Sequence, residues 1–354
     1  MYASRMSNLP PYLFARIDEM KAEQRRKGAD LIDLGVGDPD LATPAHIVEA
    51  LCTAAKDSRN HHYPDEAGMP AYRSAVAGWY KKRFGVTLDS DKEVVALMGS
   101  KDGIAHIAEA FVNPGDFVLA PSPGYPVYRT GTLFAEGTVH EMPLTKEHAF
   151  VPVLDDIPKK VIRSAKLMFI NYPNNPTAAT APDGFYREVV DFAIDHNIVV
   201  VSDNAYSEIA YDGYSAPSFL ETRGAMEIGI EMHSLSKTYN MTGWRIGMAC
   251  GRMEVIKGLK QVKTNVDSGV FNAVQHAAIA ALTGPQDCIR EASEVYQERR
   301  NILVGGLREL GFRVPLPQAT FYVWMRVENG FEFAIQTTAG LPLETMLMIA
   351  DGLH

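Results

Sequence analysis

The chain has 354 residues, 46% hydrophobic and 22% charged, an ordinary globular composition with enough length to bury two sizeable cores. A net charge of -9 argues against nucleic acid or an anionic membrane as partner, since either would need a concentrated basic face. Cys52, Cys250 and Cys288 are odd in number and widely spaced, which excludes a disulfide framework or a zinc site and leaves three reduced core thiols as the expectation.

The start, MYASRMSNLPPYLF, lacks the apolar core of a signal peptide, and no run of about 18 apolar residues follows, so a cytoplasmic protein outside the membrane is expected. Residues 10–27 open with prolines and place Leu13, Ile17 and Met20 at helical spacing before Gly28 ends the helix. Residues 31–34, LIDL, read as a short strand running into GVGDPD, where two glycines and a proline leave backbone N–H groups open to a bound group. Thr43 and Pro44 suit the cap and first position of a helix AHIVEALCTAAK. The polar loop HHYPDEAG then precedes an amphipathic helix, MPAYRSAVAGWYKKRFG. His61 and His62 have no Cys or carboxylate at ligand spacing, so no metal is expected there.

From residue 94 short apolar runs alternate with helical stretches: VVALMG, FVLA, KLMFIN, IVVVSD, IEMHSLS and RIGMAC, with helices from Lys101, near Tyr125 and over 182–196. Strands that are apolar throughout and separated by helices predict an α/β domain with a mainly parallel sheet covered on both faces. Its ligand belongs beyond the carboxyl ends of the strands, where GSKDG, NYPNNPT and DNAY fall. GSKDG also opens a helix, whose free N–H groups and dipole suit a phosphate. Residues 286–310 form one long helical pattern fit to join two domains, and 312–314 and 320–327 read as strands of a smaller terminal domain.

The most informative stretch is HSLSKTYNMTGWRIG, residues 233–247, in which Ser234 and Ser236 precede Lys237 and Arg245 comes eight residues later. A lysine amine adds to an aldehyde only when neutral, and hydroxyls with a guanidinium fork suit a phosphate dianion. Pyridoxal phosphate carries both groups. The stretch resembles the cofactor-lysine motif of the class I/II aminotransferases, and the order of the motifs extends the resemblance to fold type I pyridoxal-phosphate enzymes over residues 10–327. It implies a large domain with a mainly parallel seven-stranded sheet flanked by helices, and a smaller α/β domain formed from both termini. The implied boundaries are 1–44 for an N-terminal arm and part of the small domain, 45–285 for the large cofactor domain, and 286–354 for an interdomain helix and an incomplete end of the small domain.

By this resemblance Lys237 would bind the cofactor's aldehyde and then act as general base, and Asp203 would keep the pyridine nitrogen protonated. Tyr206 and Asn175 would bond the phenolic oxygen, and Tyr125 would cover the ring. Ser100, Lys101, Ser234, Ser236 and Arg245 would hold the phosphate. Tyr63 would reach across the interface of a homodimer, and Asn272 would be a further active-site asparagine, with Asn175 and Asn272 also facing substrate. The N-terminal arm and the LGVGDPD turn are similar to those of the LL-diaminopimelate aminotransferases, which makes Tyr12 and Gly37 substrate contacts. The implied reaction links LL-2,6-diaminopimelate and 2-oxoglutarate with tetrahydrodipicolinate and glutamate, in lysine and cell-wall precursor synthesis. Two departures stand out: Ala178 occupies a usual glycine position, and no arginine follows Arg326, where the family carries a carboxylate-binding one. A truncated or divergent C-terminus is therefore expected. The alternatives are an aspartate-, alanine- or methionine-type aminotransferase, a cofactor-binding protein with impaired catalysis, or a carbon–sulfur lyase on the same scaffold.

Overall fold

Helices α1 (Ser4–Asn8) and α2 (Leu13–Arg26) open a computed structural model that describes residues 2–9, 13–31, 33–35, 37–326 and 332–336. Helices α3 (Ala45–Ala55) and α4 (Pro70–Phe84) lead to strand β1 (Val94–Leu97) and helix α5 (Ser100–Phe111). Then come β2 (Phe117–Ser122), α6 (Val127–Phe134), β3 (Thr138–Pro143), α7 (Lys159–Ile162), β4 (Ala165–Ile170), α8 (Phe185–His196) and β5 (Val199–Asp203). Helix α9 (Ala225–Ile228) precedes β6 (Gly229–Ser234), the short α10 (Leu235–Thr238) and β7 (Gly247–Gly251). Helices α11 (Met253–Val266), α12 (Asn272–Thr283) and α13 (Asp287–Glu309) come next, then β8 (Tyr322–Arg326) and β9 (Glu332–Gln336).

Seven strands make one sheet in the order β1-β7-β6-β5-β4-β2-β3. The five from β6 to β3 are mutually parallel, whereas β7 is antiparallel to both β6 and β1. Side chains alternate between two apolar layers. Val95 and Leu97 face Ile104 and Ile107 of α5 and Leu259 of α11, while Val94 and Ala96 join Tyr72 and Val76 of α4 and Ala277 of α12. Each fully buried Val, Leu or Ile contributes about 1.5–3 kcal/mol relative to exposure, so both faces must be covered for the sheet to persist. The central strands are buried along almost their whole length, which is why they read as unbroken apolar runs.

Several local expectations change. TVHEMP forms β3, an edge strand with one neighbour and mostly solvent-facing residues, so its composition carries no strand signal. Leu31, Asp33 and Leu34 are irregular rather than a strand, as are residues 312–314, although Leu34, Phe312 and Val314 pack beside Leu303, Val304, Val323 and Met325. Cys250 alone of the three cysteines lies in the core. Cys52 is exposed on α3 and Cys288 is half-buried near the start of α13, so neither is the core thiol expected.

The reversal of β7 decides where the lysine segment lies. Six strands of the sheet end at one edge and β7 begins there, so the chain leaves β6 at Ser234 and returns at Gly247 to the same edge. Residues 235–246 form a loop anchored at both ends beside the carboxyl termini of β1, β5 and β4.

Candidate active site

Lys237 lies in α10, one turn of helix directly after β6. The Ser234 side chain caps that turn by accepting from the Ser236 N–H at 3.2 Å. The half-buried Lys237 amine donates to the Gly37 carbonyl at 2.5 Å and lies 5.6 Å from the centre of the Phe321 ring. Burial pulls the amine down to about 8 from the usual lysine value, with the Asp38 carboxylate opposing and the Arg245 guanidinium adding to the shift.

Asp203 ends β5 and is 6% exposed. Its Oδ2 accepts from the Tyr128 hydroxyl at 2.8 Å, while Oδ1 is buried with no hydrogen-bond partner among the described residues. Burial pushes the carboxyl up to about 6; the Tyr128 hydrogen bond opposes this, and the buried Glu231 charge adds to it. Asn171, just past β4, donates to the Asp203 carbonyl at 2.7 Å and accepts from the Asn175 N–H at 2.7 Å, fixing the ends of two strands relative to one turn. Asn175 Nδ2 lies 3.5 Å from the Tyr206 hydroxyl, which shares a 2.7 Å hydrogen bond with the Tyr322 hydroxyl of β8.

A third group of residues surrounds the N-terminus of α5. Gly99 precedes it with φ +79, and a Cβ there would stand 2.5 Å from Arg245 Nη2, so the position needs glycine for conformation and for space. Arg245 itself holds φ +55, a left-handed conformation costing about 1–2 kcal/mol outside glycine. Its guanidinium donates to the carbonyls of Thr242 at 2.8 Å and Met98 at 3.0 Å, which seats it beside the Gly99–Ser100 turn. Gly247 completes the close approach: a Cβ on it would come 2.7 Å from the His233 carbonyl and 3.1 Å from the Ser100 N. Beneath, Asp102 accepts from the Met98 N–H at 3.0 Å and pairs with the ammonium of the fully buried Lys263, which also meets Asp267 at 2.8 Å.

Of the other expected residues, Tyr125 is half-buried, its ring 5.9 Å from that of Tyr128, and Lys101 is exposed on the first turn of α5. Ser236 is buried. Asn272 is the first residue of α12, and its Oδ1 lies 3.4 Å from Gln275 Nε2. Tyr63 is 88% exposed, and Tyr12 lies outside the described residues. The roles of Tyr128, Asn171 and Tyr322 are not evident from the sequence. A cleft of about 620 Å³, lined by Trp79, Arg83, Glu208, Tyr214, Ile289 and Gln297 among others, includes none of the expected site residues, so chemistry rather than cavity size marks the site.

The description "Aminotransferase class I and II" belongs to the family model that matches residues 29–343. The chain belongs to the class I and II aminotransferases. This aminotransferase is 56% identical over 330 residues to the LL-diaminopimelate aminotransferase of Desulforudis audaxviator, covering 93% of this chain and 84% of the relative. Among solved structures it is similar to substrate-bound BacF from Bacillus, with a TM-score of 0.95 and 34% identity over 99% of this chain and 98% of that one. It is also similar to an aspartate aminotransferase variant from Thermus thermophilus, with a TM-score of 0.91 and 28% identity over 100% and 98% of the two chains. The aminotransferase has the fold type I architecture, uses pyridoxal 5'-phosphate and acts on amino and 2-oxo acids. The residues present suit that cofactor: a bare buried carboxylate oxygen for a protonated ring nitrogen, a partly neutral amine for an aldehyde, and a helix N-terminus beside a fixed guanidinium for a phosphate.

Proposed function

We propose that this aminotransferase moves the amino group of LL-2,6-diaminopimelate to 2-oxoglutarate, leaving tetrahydrodipicolinate and glutamate. The observation that carries the chemistry is the convergence at one sheet edge of the Lys237 amine, whose proton is loosened by burial, and the unpartnered Oδ1 of Asp203. The choice of substrate is supported by the 56% identity to an LL-diaminopimelate aminotransferase.

The cofactor supplies an electron-withdrawing ring that stabilises negative charge at the substrate α-carbon. Lys237 would hold its aldehyde, and its amine would serve as the base that carries the proton of that carbon. The Gly37 carbonyl accepts from the Lys237 amine and holds the lysine against the turn proposed to contact substrate. Asp203 would hold the ring nitrogen in its protonated form. Tyr206 and Asn175 would bond the phenolic oxygen, and Tyr125 would cover the ring. Ser100, Lys101, Ser234, Ser236 and Arg245 would take the phosphate, the serines and backbone N–H groups as donors and the cations as counter-charge. Asn272 and Asn175 would face the substrate, with Tyr12 as a further contact expected from the resemblance. The domain boundaries at 44–45 and 285–286 belong to the same proposal, with α13 as the connecting helix.

The working unit in this reading is a cytoplasmic homodimer in which Tyr63 completes the neighbouring site. Tyr63 and the 45% exposed Phe271 support it. Both stand on loops that meet where Gly269 approaches Asp65 and Pro64, so a second copy would cover an apolar pair on one face. The deciding experiment supplies the purified chain with pyridoxal phosphate, LL-diaminopimelate and 2-oxoglutarate and measures glutamate. Turnover of aspartate or alanine without turnover of diaminopimelate would overturn the substrate assignment.

A further inference from the structure

We propose that Tyr128 is a positioning residue for the reaction: its hydroxyl clamps Oδ2 of Asp203, so that Oδ1 is presented to the ring nitrogen of the cofactor. A carboxylate turns easily about its last torsion, which has broad and roughly two-fold wells. A single donor on one oxygen removes that freedom and occupies the lone pairs that would otherwise compete for the ligand. The geometry here is of that kind. The Tyr128 hydroxyl is 2.8 Å from Oδ2 while Oδ1 is left without a partner.

The clamp is itself immobile. Tyr128 is 1% exposed and its ring stacks on Phe169 of β4, with centroids 4.7 Å apart and an interplanar angle of 19°. Its backbone is tied at both ends, the N–H donating to the Tyr125 carbonyl at 3.1 Å and the carbonyl accepting from the Thr132 hydroxyl at 2.7 Å. On the other side, the Asn171 amide grips the Asp203 main chain, so backbone and side chain of the aspartate are fixed by separate elements. A buried anionic oxygen without a partner is costly, and the arrangement leaves it one inexpensive remedy, a cationic N–H arriving from the site. Tyr128 therefore acts through Asp203 and touches no reacting atom.

The inference rests on the proposed role of Asp203, and the test separates the two. The cofactor-free chain is titrated with pyridoxal phosphate and with its carbocyclic analogue, in which C–H replaces the ring nitrogen, for the native protein, Tyr128→Phe and Asp203→Asn. The native chain should prefer the pyridine. Tyr128→Phe keeps the stacked ring and removes one oxygen atom. It should lose about tenfold of that preference, the worth of one hydrogen bond to a charged group, while its affinity for the analogue is unchanged. Equal weakening toward both ligands would show that Tyr128 only fills space, and no change toward either would show that the hydroxyl is idle; both results overturn the proposal. Retention of the preference in Asp203→Asn would instead overturn the role of Asp203, whatever Tyr128→Phe does. Thermal unfolding of the cofactor-free variants verifies that each chain is folded before titration.

Discussion

Lys237 holds its proton less tightly than a solvent-facing lysine, and the consequence is measurable without any cofactor. With a value near 8, about one amine in ten is neutral at pH 7, against roughly one in a few thousand for an unperturbed lysine. Reductive methylation by formaldehyde, followed at Lys237 by mass spectrometry, should accelerate about tenfold per pH unit up to pH 8 and then level off. A rise continuing past pH 10 would show that burial does not depress this amine. Lys237→Ala should lower kcat by at least about a hundred- to ten-thousandfold, the usual worth of a positioned proton carrier. A mutant with near-native glutamate production would refute that. Lys237 and Asp203 were singled out in the sequence by the resemblance of HSLSK and DNAY to the family's cofactor motifs. Tyr128 was not, since its part depends on which way a buried hydroxyl points and how β4 supports its ring.

Among the elements, α5 illustrates how a binding turn is held from behind. Gly99→Ala would force a Cβ into the Arg245 guanidinium at a backbone angle that alanine avoids, so the turn or the arginine must shift. The variant should bind inorganic phosphate and pyridoxal phosphate more weakly in parallel, and unaltered binding of both would count against a phosphate role for this turn. Lys263→Met addresses the support below. It leaves Asp102 and Asp267 buried without their shared cation, a change expected to cost about 3–5 kcal/mol by denaturant titration. Adding Asp102→Asn and Asp267→Asn should recover much of that loss; a triple variant no more stable than the single one would refute the pairing. The central strands could be read from residue type because burial on both faces leaves only apolar choices. TVHEMP could not, since Thr138 and Glu141 face solvent and only Met142 is fully buried. Nor could the direction of β7, because GMACG reads identically whether it runs with its neighbours or against them.

For the molecule as a whole, the proposed shared site makes a sharp demand on mixed assemblies. Chains carrying Tyr63→Ala and chains carrying Lys237→Ala should each be nearly inactive. When mixed, unfolded and reassembled, random pairing should restore about a quarter of the native sites, since half the dimers are hybrids and each hybrid has one complete site. Failure to regain activity, or an active monomer by sedimentation, would count against the dimer. The outline of the fold was legible because strands and helices alternate through the middle of the chain. The joining of distant segments at the site was not, because it depends on tertiary packing. The Lys237 amine is held by a carbonyl 200 positions earlier, and the Tyr206 hydroxyl by the Tyr322 hydroxyl 116 positions later. Any contiguous fragment containing both bonds must run from residue 37 to residue 322. On a ribosome, the lysine motif therefore emerges long before the surroundings that depress its amine are complete. Such late, non-local contacts form slowly and only once the intervening chain has been made. A nascent chain displaying HSLSK thus carries its lysine before Phe321, whose ring lies 5.6 Å from the amine in the folded protein, has been made.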